Sequence, residues 1–201
     1  MNLNIKKGTI LNLSTEVGVE LLKPMGFGLG FSTKELVLDS YVAILDSNDA
    51  PIDFIYFNKV NGLGIKYNGK RVYEKDLPTE TVKIDFSKLH PEASSIHIGL
   101  FSYSTDADLT ELEDLYLNIT SSVGREVYRY PIQEKFSKSK SVVMSSIMKT
   151  SEGWKILASG EGSNDKYSDL KSTFTSKRPY DLSGMKISGL DESIKPDSFW
   201  S

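Results

Sequence analysis

The sequence predicts an all-β fold: an antiparallel β-sandwich of two sheets, with little helix and an extended C-terminal tail. Three observations point to it. Apolar residues come in short alternating runs separated by turn chemistry, which is the pattern of strands half-buried on a core. The runs recur at the spacing of an all-β sandwich, and several are joined by connections short enough for hairpins. Sustained helical periodicity is nearly absent.

Val17–Leu22 is the first strand in this reading, and Lys23-Pro24 followed by Gly26, Gly28 and Gly30 ends it. Glu35–Leu45 runs into the polar turn Asp46-Ser47-Asn48-Asp49, closed by Pro51, and then pairs with Ile52–Asn58 as a hairpin. Thr81–Phe86, Ser95–Tyr103, Leu115–Ser121, Glu126–Ile132, Lys140–Lys149 and Trp154–Ser159 complete the set. Val123-Gly124-Arg125 and Thr150-Ser151-Glu152-Gly153 have hairpin length and composition. Only Ser104–Asp114, with Leu109, Leu112 and Leu115 at helical spacing behind capping residues, predicts a helical turn or two. Beyond Gly162 the chain turns polar, and Tyr180–Ser201 reads as an extended tail until Phe199-Trp200, an aromatic pair suited to anchoring a flexible segment.

A chain of 201 residues with 39% hydrophobic and 25% charged residues is long and apolar enough for one packed core. A net charge of −3 offers no broad attraction to nucleic acid or anionic lipid. With no cysteine there is no disulfide framework, thiolate metal site or cysteine nucleophile, as suits a reducing compartment. Met1–Ile10 lacks the apolar stretch of a signal peptide, and no run approaches a membrane span. The expected place is the cytoplasm, or a particle assembled there.

Chemistry is sparse at this level. Nucleophilic catalysis needs a nucleophile held by a base, and the only imidazoles are His90, before Pro91 in a turn, and His97, within a strand. Neither sits in a catalytic motif. Gly26, Gly28 and Gly30 lack the strand–loop–helix context of a phosphate-binding loop. Asp46–Asp49 superficially suggests a calcium loop but lacks the glycine and distal glutamate of an EF-hand. No catalytic or cofactor-binding residue is assigned, and the expectation is a protein that is not an enzyme.

The strand order carries a distributed resemblance. Ile5-Lys6-Lys7-Gly8 with Leu11 and Leu13, Gly28-Leu29-Gly30-Phe31, Leu38-Asp39-Ser40, Asp53-Phe54-Ile55-Tyr56-Phe57-Asn58, Gly153-Trp154-Lys155-Ile156 and Ala158-Ser159-Gly160-Glu161-Gly162 resemble, in order, motifs of the TerD family of tellurite-resistance and stress proteins. The resemblance covers about residues 3–174. It implies a sandwich domain over residues 1–174 and an extended tail, 175–201, as a candidate partner-docking arm. It also implies a role in resistance to tellurite and other stress, and calcium binding through an acidic loop.

That loop departs from the family pattern here. The corresponding stretch, Asn68–Glu80, has Gly69-Lys70 where an Asp-Asn pair is expected and Pro78-Thr79 where two further acids are expected; Val37 replaces another carboxylate. The acidic residues that survive as candidate metal ligands are Asp39, Asp53, Glu74, Asp76 and Glu80. Lys70, Arg71 and Lys75 add positive charge where an oxygen cage needs negative charge, so weak or lost calcium binding is expected. Lys70, Arg71, Phe199 and Trp200 are candidate partner contacts, the first two for an acidic partner. The expected function is a non-enzymatic TerD-like binding or scaffold protein. The alternative is a structural subunit of a phage or contractile particle that reuses the sandwich. A protein partner or self-assembly is expected in either case, with no nucleic acid and no membrane insertion.

Overall fold

A computed structural model describes residues 3–13, 16–22, 38–56, 58–68, 80–102, 109, 115–121, 126–136, 138–164, 181–182 and 185–186. The strands are β1 (Leu3–Asn4), β2 (Ile10–Asn12), β3 (Glu16–Leu22), β4 (Leu38–Leu45), β5 (Pro51–Ile55), β6 (Asn61–Gly62), β7 (Ile65–Asn68) and β8 (Glu80–Asp85). They continue with β9 (Ser95–Ser102), β10 (Tyr116–Ser121), β11 (Glu126–Pro131), β12 (Ser141–Thr150), β13 (Gly153–Ser163), β14 (Asp181–Leu182) and β15 (Met185–Lys186). Among the described residues the one helical segment is a single 3-10 turn, Phe86–Lys88, capped by the Asp85 side chain. None of the helices there is long and apolar enough to cross a membrane.

Two sheets form the body, in the orders β1-β11-β10-β3-β8-β7-β6 and β2-β13-β12-β9-β4-β5; β14 and β15 make a separate two-stranded ribbon. All pairings are antiparallel except β1 with β11. Alternation explains why these segments are strands: on β8, Glu80, Val82 and Ile84 are buried while Lys83 is exposed, so one face meets a core and the other meets water. Val82, Ile84, Leu117, Ile119 and Tyr130 of the first sheet join Val42, Ile44, Ile55, Ile96, Ile98, Leu100, Val142 and Ile147 of the second in one core cluster. Burying each such side chain stabilises the fold by about 1.5–3 kcal/mol.

The second sheet is buried on its outer face too. Tyr41, Ala43, Leu45, Phe54, Tyr56 and Phe101 form a separate apolar cluster at 0–8% exposure, with Tyr41 against Phe54 and Phe101 at ring separations of 5.4 and 6.0 Å. Gly99 of β9 makes this possible. A Cβ there would lie 2.6 Å from Tyr41 Cζ and 2.3 Å from the Val142 carbonyl oxygen, so the Tyr41 ring rests on bare backbone.

The chain closes both sides of the sandwich. Residues 3–13 cross from an edge of the first sheet, where β1 pairs with β11, to an edge of the second, where β2 pairs with β13. On the opposite side the chain leaves β5, turns at a Tyr56–Lys59 bridge and enters β6.

All nine expected strands are present within a few residues of their expected limits. β1, β2, β6, β7, β14 and β15 were not expected: five of them have two or three residues, too few to show alternation, and β7 has only four, Ile65–Asn68; β14 and β15 place a short antiparallel ribbon within the stretch read as an extended tail. Of the expected turn of helix at Ser104–Asp114 only Leu109 is described, as an isolated bridge to Phe136. Gly26, Gly28 and Gly30 lie outside the described residues.

Candidate functional site

Asp53 faces inward from β5, opposite Ile44, and is 1% exposed. Its Oδ1 accepts a hydrogen bond from its neighbour's amide, Phe54 N, at 2.7 Å and an ion-paired hydrogen bond from Lys59 Nζ at 2.7 Å. Lys59 is itself largely buried, its side chain 12% exposed. Burial holds the Asp53 carboxyl above the usual carboxylate range, with Lys59 pulling the other way; burial likewise lowers Lys59, against the pull of Asp53. Asp53 Oδ2 has no hydrogen-bond partner. It packs toward Gly62, where a Cβ would come within 2.7 Å of it and 2.9 Å of Ile55 Cδ1. An internal ammonium therefore supplies the counter-charge at Asp53, and tight packing surrounds the other oxygen.

Glu80, 4% exposed at the start of β8, is engaged differently. Ser40 Oγ, on β4 of the facing sheet, donates to Glu80 Oε2 and lies 3.3 Å from Tyr67 Oη. This buried trio ties the two sheets together. Four residues of β4 separate Ser40, which bonds Glu80, from Ile44, which opposes Asp53, a distance of about 13 Å at strand spacing. Asp53 and Glu80 thus do not converge, and among the described residues no three carboxylate or imidazole groups gather as a metal cage requires.

Asp39 lies on β4 opposite Phe101; its side chain, together with Glu74, Asp76, Lys70, Arg71, Phe199 and Trp200, is outside the described residues. The Asp46–Asp49 turn is a turn in the structural sense: Asp46 Oδ1 accepts from the Asn48 and Ala50 amides at 2.7 and 2.9 Å, and Asp49 takes a positive φ of 59°. His90 is buried in the turn before β9, its Nδ1 accepting from the Glu92 amide at 3.2 Å.

His97 has a neighbourhood that the sequence concealed. Ser146 of β12 stands directly opposite it, with Oγ 2.9 Å from Nδ1, and Ser159 Oγ donates to Ser146 Oγ at 3.1 Å. Burial lowers the His97 pKa, opposed by Asp49, so the ring is neutral at neutral pH. The chain of hydroxyls and imidazole lines a shallow depression of about 390 Å³ with Lys7, Gly8, Val143, Leu157 and Glu161. A Ser–His bond is the first half of a nucleophile–base pair. However, Ser146 and Ile147 pair on both sides, so their amides lie within the ladders and do not turn outward as oxyanion donors.

Sequence reading missed Lys59, Ser40, Tyr67, Ser146 and Ser159. Each meets its partner across a strand pair, a crossover or the gap between sheets, and no short motif encodes such contacts. Lys59 alone had a local signal, lying six positions after Asp53 across a turn.

Fold and site together define a two-sheet antiparallel sandwich whose described buried carboxylates are engaged by internal donors. The chain belongs to the TerD family: the TerD domain matches residues 1–174. It is 24% identical over 178 residues to the uncharacterized protein YceE of Bacillus subtilis (strain 168), spanning 81% of this chain and 92% of that protein. The crystal structure of a homologue of the telluride resistance protein TerD from Streptomyces coelicolor A3(2) superposes with a TM-score of 0.62 at 12% identity, covering 79% of this chain and 95% of the other. SAV2460, a protein of unknown function, superposes with a TM-score of 0.61 at 13% identity, covering 78% and 94%. At these identities the structures establish the shared fold.

Proposed function

We propose that the chain is a non-enzymatic TerD-like binding or scaffold protein of the stress and tellurite-resistance type, with calcium binding weak or lost. The observation that carries the second half is the buried Asp53–Lys59 pair. A Ca²⁺ ion takes several oxygens and their negative charge. To reach Asp53 Oδ1 it must displace an ammonium already 2.7 Å away and strand it in a buried setting, and at Oδ2 it meets the close packing of Gly62 and Ile55. Glu80, bonded to Ser40, gives up an inter-sheet tie if it turns to a metal. Neither residue fits the part of an available ligand. The basic residues Lys70, Arg71 and Lys75 add a further electrostatic cost. The scaffold half draws on family membership and on the Ser146 and Ile147 amides lying within the β12 ladders, away from the place of oxyanion donors. With no cysteine in the chain, any part in tellurite resistance proceeds without direct thiolate chemistry.

Calorimetric titration of chelator-treated protein with Ca²⁺ tests the proposal. The expected result is no saturable heat at micromolar concentrations. A micromolar dissociation constant sinks the calcium reading and directs attention to the 69–79 segment.

A further inference from the structure

One row of residues crosses the outer face of the first sheet: Thr120, Gly18, Lys83, Lys66 and Asn61, each directly opposite the next. It places two exposed lysines side by side on β7 and β8. Like charges directly opposite on an antiparallel pair repel and weaken the sheet. The usual remedy is a neighbouring carboxylate, and Lys7, Lys59, Lys88 and Lys155 each have one. Among the described residues Lys66 and Lys83 have no carboxylate partner. Asp85, two residues along β8 from Lys83, is already held by Lys88 at 2.6 Å and by the Ser87 hydroxyl. Glu20 on β3 stands one row away, opposite Thr81. The chain as a whole is acidic, at −3, so this local positive charge runs against its overall balance.

A second observation falls on the same edge. Leu3, Ile10, Val60 and Leu63 are the exposed large hydrophobics among the described residues. Val60 and Leu63, 41% and 45% exposed, flank the two-residue strand β6, whose Asn61 is paired with Lys66. Exposed apolar residues flanking the edge strand, on the same edge as two cations without a described carboxylate partner, make up the composition of an interaction surface rather than of a solvated face.

We propose that the β6–β7–β8 edge and outer face of this sheet dock an acidic protein, with Lys66 and Lys83 receiving its carboxylates and the exposed Val60 and Leu63, flanking the edge strand, offering apolar contact at the rim. The proposal deepens the binding or scaffold reading and rests on it. A nucleic acid fits less well, because the row offers no arginine and no aromatic side chain on which to stack a base.

The test uses the full chain and a fluorescein-labelled acidic peptide of mixed glutamate and leucine, followed by anisotropy at low and near-physiological salt. The wild type is expected to bind, more weakly as salt rises. Lys66→Glu with Lys83→Glu is expected to lower affinity roughly tenfold or more, and Leu63→Ser a few-fold. Lys155→Glu, on the other sheet, is expected to leave it unchanged. Lys66→Thr with Lys83→Thr, which removes the repulsion without adding charge, is expected to fold at least as stably as the wild type and still to lose binding. Undiminished binding by both double variants overturns this surface while leaving a binding protein. Absence of any binding at low salt counts against both. Tighter binding of duplex DNA or phosphatidylserine vesicles than of the peptide overturns the choice of partner.

Discussion

Replacing Lys59 with Met tests the role assigned to the buried pair. Met keeps the apolar stem and removes the ammonium, leaving Asp53, 1% exposed, with only the Phe54 amide on Oδ1 and nothing on Oδ2. Breaking a buried ion pair from one side costs about 3–5 kcal/mol, because the remaining charge is buried without compensation. For a domain of this size that is roughly 6–20 °C in Tm. The sign of the pH dependence follows from the direction of the shift. Asp53 already has a carboxyl pKa raised by burial, and losing Lys59 removes its charge and its hydrogen bond, the two larger influences that lower it, leaving only the Phe54 amide. A carboxyl with a raised folded pKa favours the fold below its unfolded value, near 3.8, and that favour is lost as pH rises through the folded value. The Lys59→Met deficit is therefore expected to be small in acid and full at pH 7–8. Asp53→Asn on the same background is expected to recover most of the loss. Urea unfolding of the three variants across pH measures all of this. A deficit below about 1 kcal/mol at pH 7.5, or one independent of pH, refutes the claim that Lys59 neutralises Asp53 in the interior.

Other consequences can be checked alongside. Gly99→Ala puts a methyl group within 2.3 Å of the Val142 carbonyl and 2.6 Å of the Tyr41 ring, and is expected to destabilise by about 1–3 kcal/mol or more, read by thermal unfolding. Gly62→Ala presses on Asp53 Oδ2 and Ile55 and is expected to lose a similar amount by the same measurement. His97 has a pKa lowered by burial, so its contribution is present above its unfolded value of 6.5 and is lost as pH falls through the folded value. His97→Gln is expected to flatten that part of the stability–pH profile, and an unchanged slope in urea melts removes His97 as its source. Ser146→Ala breaks its bonds to His97 and Ser159 and is expected to cost about 0.5–1.5 kcal/mol by the same measurement.

Strand after strand was legible because burial on one face leaves a period of two in the sequence. Val82, Lys83 and Ile84 show it on β8; strands of the second sheet, buried on both faces, show instead as apolar runs, and β12 and β13 are set off by a turn whose Gly153 takes a φ of 114°. The short edge strands left no such trace. Leu3–Asn4 pairs with β11 because the chain is brought there, not because two residues have a β preference of their own. At the site, the acidic residues could be named as types, but a carboxylate's role depends on which donor reaches it first. Asp53 reads the same in the sequence whether a metal or Lys59 faces it.

By itself the sequence determined the all-β class, most of the strands, the family motifs and the basic character of the segment before Glu80, since each is a local pattern or a composition. Only the tertiary structure decided that Lys59 closes on Asp53, that Ser40 meets Glu80 and Tyr67, that Ser146 faces His97, and that Lys66 and Lys83 stand side by side. These contacts join strands that are remote in sequence or lie in facing sheets, and their register is set by the packing of the whole core.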